Sequence, residues 1–269
     1  MKLVVHVDGV GITGPGFDGW PQTRAILADE AAWQSTPAVI PPVTLLAANE
    51  RRRAGLLVRS SLAVAEQAVA MSGRAAASLP SIFTSSSGDG VNCHSICETL
   101  ASDDRSISPT RFHNSVHNAP AGYWTIATQS MTASTSLCAH DASFGAGLLE
   151  ACVQIAAGAD AVLLVASDSG YPEPLNGVRP ISDVFAVGLV LARKASDRTL
   201  ATLALTLEPA TGHAARLELD HAGWETVRST IPAARGLNLL LAIANATPEA
   251  RPVRIEYLDT LDLLVEVSR

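Results

Sequence analysis

Residues 132–167, TASTSLCAHDASFGAGLLEACVQIAAGADAVLLVAS, read as a strand, a sharp turn, a helix and a second strand. The segment 132–138 is short, β-branched and apolar enough for a buried strand, and 161–166 is an unbroken apolar run. Between them, 142–157 is rich in Ala, Leu and Gly, with apolar residues at helical spacing. Asp141 stands where an N-cap carboxylate would accept hydrogen bonds from the first free amides of that helix. Two strands joined this way form a right-handed βαβ unit with a parallel pair. The strand-to-helix elbow is where α/β enzymes seat a nucleophile, because a helix N-terminus stabilises developing negative charge. Here the elbow offers His140 and Asp141, with Cys138 slightly upstream.

Composition narrows the classes. The 269 residues are 48% hydrophobic and only 17% charged, so much of the surface is expected to be covered by something. No apolar run approaches the roughly 18–20 residues that span a bilayer, which points to a soluble subunit with a large apolar interface. A net charge of −7 argues against a nucleic-acid partner. The start, MKLVVHVDGVGITG, has no long apolar signal region or cleavage site, so a cytoplasmic location is expected. Four Cys in a chain of this length do not make a disulfide framework.

Outward from the elbow, 3–7 reads as a strand broken by Gly9-Val10-Gly11 into a glycine-rich turn, before a helix over about 21–32. The glycines do not keep the spacing of a dinucleotide loop. A Pro-rich loop covers 34–49, and Glu50-Arg51-Arg52-Arg53 opens a helix running to about Met71. A strand at 79–84 leads through the polar loop Ser85-Ser86-Ser87-Gly88-Asp89-Gly90 into a helix at 91–100. Cys93 and Cys97 on that helix, with His94, lack the second ligand pair of a zinc site, and no metal or cofactor is expected. An irregular segment at 108–118 carries His113, His117 and Asn118, and a helix follows at 119–128 with Pro120 in its first turn. Later strands are predicted at 185–192, 201–207, 239–244, 254–258 and 263–267, with a helix at 224–229. No composition break marks a linker, so 1–269 reads as one domain.

These pieces, in this order, resemble the N-terminal half of the β-ketoacyl synthases, the thiolase-fold condensing enzymes of fatty acid and polyketide synthesis. The resemblance covers about 2–195, and 196–269 diverges. It rests on Gly9-Val10-Gly11-Ile12-Thr13 with Gly16 and Trp20, on Arg51–Arg53 before an Ala-rich helix, and on Asn118-Ala119-Pro120-Ala121-Gly122. It also rests on 158–167 and on Arg179-Pro180 followed by Gly188-Leu189-Val190-Leu191. The resemblance implies an α/β, thiolase-like fold in truncated form, a mixed sheet with covering helices.

Counting from Ala121-Gly122 and back from Gly158 places the family's nucleophilic Cys at Asp141. A carboxylate is a poor acyl acceptor from a thioester. The family's second half supplies two histidines and a lysine for malonyl binding and decarboxylation; after residue 200 this sequence has only His213 and His221, and no Lys. The resemblance therefore implies a catalytically silent, chain length factor-like subunit with Asp141 at a degenerate nucleophile position. Ser115–Trp124 is similar to ketosynthase-like subunits of bacterial aryl polyene pathways. The implied partner is a full-length ketosynthase, with acyl carrier protein reached through the complex. His113, His117, Asn118, Ser134 and Cys138 are then expected at the partner interface and acyl tunnel, since the strand before the elbow pairs across the family's two-fold. Two other readings stay open: an acyltransferase or hydrolase using Cys138 or a Ser of 85–87 with His140 or His117, and a binding or scaffold module.

Overall fold

A computed structural model describes residues 2–210 and 219–269. His213, noted in the sequence, lies outside the described residues. In chain order the elements are β1 (Leu3–Gly14), β2 (Phe17–Asp18), α1 (Gly19–Leu27), α2 (Ala48–Arg53), α3 (Leu56–Ser72), β3 (Ser81–Thr84), α4 (Gly90–Ala101), α5 (Pro109–His113) and α6 (Ala119–Thr128). Then come β4 (Ser134–Leu137), α7 (Ser143–Ala156), β5 (Ala161–Asp168), α8 (Leu175–Val178), β6 (Phe185–Ala192), β7 (Ala201–Pro209), α9 (Ala222–Thr230), α10 (Leu237–Ala244), β8 (Arg251–Leu258) and β9 (Leu261–Ser268). Short 3₁₀ turns occupy Ala76–Ser78, His140–Ala142 and Pro232–Gly236.

The strands form one mixed sheet in the order β4-β3-β5-β6-β1-β7-β9-β8, with β2 paired to β1. β3 is parallel to both β4 and β5, and every other pairing is antiparallel. The unit β4-α7-β5 therefore runs parallel as expected, but its strands are not neighbours, because β3 lies between them. β5 and β6 are buried along their full length, as their continuous apolar sequence demands in a sheet covered on both faces. One core contains α3 and α6 residues such as Leu62, Val64 and Trp124; the other contains Phe144, Leu148, Trp224 and Leu240 from α7, α9 and α10.

Several predicted elements change for physical reasons. Gly9 and Gly11 do not end the first strand, which continues to Gly14. They are small because α3 crosses there: a Cβ on Gly9 would sit 2.1 Å from the carbonyl oxygen of Ala68, and one on Gly11 2.1 Å from that of Val64. α3 is buried on nearly all sides, including Ser60 and Ser61, whose hydroxyls bond back to the Leu57 carbonyl. The helix predicted over 50–71 is two helices, since Ala54 and Gly55 are extended and leave Arg51–Arg53 on the separate, exposed α2. The first predicted helix stops at Leu27. Residues 239–244 belong to helix α10, not to a strand.

The strand before the elbow is also corrected. β4 is only four residues long, lies at the end of the sheet, and is exposed or half-exposed throughout. Among the described residues no strand pairs with its outer edge. The expectation of a buried strand fails within this chain, and an open edge takes its place.

Candidate functional site at the strand-to-helix elbow

From β4 the chain turns through His140–Ala142 into α7. His140 takes a positive φ of 52°, an uncommon conformation for a non-glycine residue and the strained point of the turn. Asp141 does not cap α7, contrary to expectation. Ala142 is the capping residue, and Ser143 Oγ instead ties the turn, accepting from the Ala139 amide at 3.1 Å and donating to the His140 carbonyl at 2.7 Å. Gly145, in the first turn of α7, lies under β8: a Cβ there would sit 2.3 Å from the Glu256 carbonyl oxygen.

Freed from capping, Asp141 is held by two arginines. Arg179 Nη2 donates to Asp141 Oδ1 at 2.6 Å, and Arg235 Nη2 lies 3.5 Å from Oδ2. His140 Nδ1 is 3.7 Å from Oδ1. Arg179 comes from the loop after β5, and its Nη1 donates to Tyr171 Oη at 2.7 Å and Ser86 Oγ at 3.1 Å. Burial, the largest single influence, works against the Arg179 charge, but the hydrogen bond to Asp141 and the nearby Tyr171, Asp141 and Asp168 together outweigh it and raise the guanidinium pKa. Arg235 comes from the Pro232–Gly236 turn and also pairs with Glu256 on β8. Glu256 in turn faces Arg228 of α9 at 3.5 Å, and Arg228 pairs with Glu225. Three acids and three arginines thus alternate from α9 to the elbow.

Behind the elbow, the polar loop Ser85–Ser87 rests on Asp168, the last residue of β5. Asp168 Oδ1 accepts from the Ser86 amide at 2.8 Å and from Ser85 Oγ at 3.1 Å. Burial pushes the Asp168 carboxyl up to about 6, despite the amide and hydroxyl donors that favour its charged form. Cys138 is exposed and its Sγ donates to the Ser86 carbonyl at 2.9 Å. His117 Nε2 lies 3.4 Å from the Ser85 carbonyl. Cys138 and His117 are therefore drawn to the same loop, but each bonds backbone oxygen. Ser87 Oγ bonds Tyr171 Oη. Among the described residues neither Cys138 nor any serine of 85–87 is hydrogen-bonded to an imidazole, the pairing a base-activated nucleophile needs.

Ser134, on β4, is exposed and accepts from Ser81 Oγ at 3.0 Å. His113 packs edge-on against Tyr123 with ring centroids 5.7 Å apart, and Asn118 is the N-cap residue of α6 without a side-chain cap hydrogen bond. The sequence did not single out Arg179, Arg235, Tyr171 or Asp168 as site residues. One signal bears on the two arginines alone: a carboxylate at a crowded elbow requires cationic partners.

Among the described residues, no group of three or more His, Cys, Asp or Glu could hold a metal, and no helix is long and apolar enough to cross a membrane. Cys93 and Cys97 are both exposed on α4, where His94 lies 3.3 Å from Glu98.

A family model described as "Beta-ketoacyl synthase, N-terminal domain" matches residues 20–244. The chain belongs to this family. Its fold is that of solved ketosynthase assemblies. A chain of the ketosynthase ApeO in complex with its chain length factor ApeC, from Xenorhabdus doucetiae, superposes with a TM-score of 0.72 at 22% identity, over 99% of this chain and 100% of that one. The AntDE:AntF structure, a type II acyl carrier protein in complex with its hexaketide-bound ketosynthase, gives 0.77 at 13% identity over 100% and 99%. The ishigamide ketosynthase/chain length factor gives 0.72 at 13% identity over 98% and 99%. No curated protein matches the sequence. As a β-ketoacyl synthase-family chain, the protein has the expected thiolase-like mixed sheet with covering helices.

Proposed function

We propose that this chain is a catalytically silent, chain length factor-like subunit that pairs with an active β-ketoacyl carrier-protein synthase. The pathway class is type II fatty acid or polyketide synthesis of the aryl polyene kind, in the cytoplasm, and the chain acts as a single domain. The observation that carries the reading is Asp141, an ion-paired carboxylate at the elbow that the resemblance aligns with the family's thiol. Attack by a carboxylate on a thioester would give a mixed anhydride, a less stable acyl group than the one it came from. Each oxygen of Asp141 moreover lies within 3.5 Å of a guanidinium nitrogen.

The open edge of β4 supports the partner. An unpaired strand edge is a pairing template that isolated soluble proteins usually blunt or cover. Met131, just before β4, is 97% exposed, and Ile126 of α6 and Val153 of α7, on the helices that pack beside β4, are 60% and 41% exposed. An obligate interface of about 2,000 Å² or more with an apolar core would cover such a surface. His113, His117, Asn118, Ser134 and Cys138 are proposed to lie at or near that interface and the acyl tunnel.

The test is incubation of the isolated protein with acyl- and malonyl-loaded carrier proteins, followed by intact-mass spectrometry. Neither an acyl-enzyme nor an extended product is expected. Extension should appear only when a full-length ketosynthase is added. An acyl adduct on Cys138 in the isolated chain would overturn the proposal.

A further inference from the structure

The alternating chain of charges ends at the elbow, where Asp141 meets Arg235 and Arg179. Arg179 has no other ion-pair partner among the described residues, and its side chain is 24% exposed. Arg235 is 15% exposed and shares its charge between Asp141 and Glu256. Each carboxylate oxygen of Asp141 meets a different guanidinium, so the two arginines converge on one carboxylate from two sides. Tyr171 Oη and Ser86 Oγ fix the far edge of the Arg179 fork, which holds its orientation without help from Asp141. The Asp141 side chain is itself 42% exposed, so solvent reaches the point where the arginines meet.

We propose that Arg179 and Arg235 form a carboxylate-binding clamp whose resident ligand is the chain's own Asp141, and that a small free carboxylate of the acetate or malonate class occupies the clamp when Asp141 is removed. Taken together with the silent-subunit reading, on which this consequence rests, the clamp denies the elbow to a carboxylate-bearing extender by self-occupancy. Buried or half-buried cations left without a counter-ion are costly, which gives an exogenous carboxylate its driving force.

The experiment follows thermal unfolding of the full chain and of Asp141→Ala in sodium acetate, sodium malonate and sodium chloride at matched ionic strength. Asp141→Ala should unfold several degrees below the parent in chloride and recover most of that loss in carboxylate, with a saturating dependence in roughly the millimolar range. The parent, and the double variant Asp141→Ala/Arg179→Gln, should respond to carboxylate no more than to chloride. Equal responses in parent and variant would mark a general salt effect and overturn the proposal, as would no preference for carboxylate in Asp141→Ala. If that variant is not recovered folded from chloride, soluble yield after lysis in malonate against chloride becomes the reading, and equal yields overturn it. Failure here leaves the parent's behaviour in carrier-protein assays unchanged, so it is distinguishable from failure of the silent-subunit reading.

Discussion

Arg179 Nη2 donates to Asp141 Oδ1 at 2.6 Å across 38 residues of sequence, joining the loop after β5 to the elbow before α7. The turn before α7 holds this carboxylate in an ion pair. Cations beside a thiol favour the thiolate. Asp141→Cys should therefore carry a thiol that reacts with iodoacetamide with a half-maximal rate below the ordinary thiol pKa of about 8.5. Adding Arg179→Gln should move that midpoint upward. Peptide mass spectrometry separates the introduced thiol from the exposed Cys93, Cys97 and Cys138. Chain extension should not return. A midpoint at or above the ordinary value would mean the arginines do not face this position.

Asp168 gives a pH signature. Its folded carboxyl is raised to about 6 by burial, above the value near 4 of an unfolded chain. Below about pH 4 both states are protonated and burial costs nothing. Between about 4 and 6 the folded state alone keeps its proton, so the cost of the buried charge grows with pH and is full above 6. A shift of about two pH units corresponds to roughly 3 kcal/mol at most. Asp168→Asn keeps an acceptor for Ser86 and Ser85 and removes the charge. The variant should gain stability relative to the parent as pH rises from 4.5 to 8, by thermal unfolding at each pH. A constant difference would contradict the assignment.

The approach of α3 to the first strand predicts a steep cost for a single methyl group. Gly11→Ala would place Cβ 2.1 Å from the Val64 carbonyl oxygen and 2.9 Å from Gln67 Cβ. The expected destabilisation is about 3 kcal/mol, by urea unfolding. Gly122→Ala, on α6 with nothing within 4 Å of its Cβ, should instead be neutral or stabilise by about 0.5–1 kcal/mol.

The sequence carries much of this fold where local pattern and tertiary setting agree. The helix at 119–128 and the strand at 185–192 have the bounds read from Pro120 and from the run FAVGLVLA. Agreement fails where a neighbour decides. Gly9 and Gly11 are turn formers in isolation and close-packing residues beside α3. LNLLLAIA at 237–244 is an apolar run short enough for either state, and it is a helix because one face packs on the sheet while Leu241 and Ala242 remain half-exposed. At the site, the sequence located the elbow and the carboxylate in it. It could not locate Arg179 and Arg235, which come from segments 38 and 94 residues away and reach Asp141 only in the folded chain.

The open edge of β4 carries the central claim. Ser134 is exposed in this chain, so Ser134→Arg should leave the isolated protein folded, as circular dichroism and thermal unfolding would show. In the proposed heterodimer the same arginine faces the partner's strand, where an unpaired charge in an apolar interface costs several kcal/mol. The decisive measurement is a pull-down with the full-length ketosynthase beside a chain-extension assay on the same sample. The account predicts that Ser134→Arg abolishes both co-purification and extended product. Full association with normal product would place the interface elsewhere and contradict it.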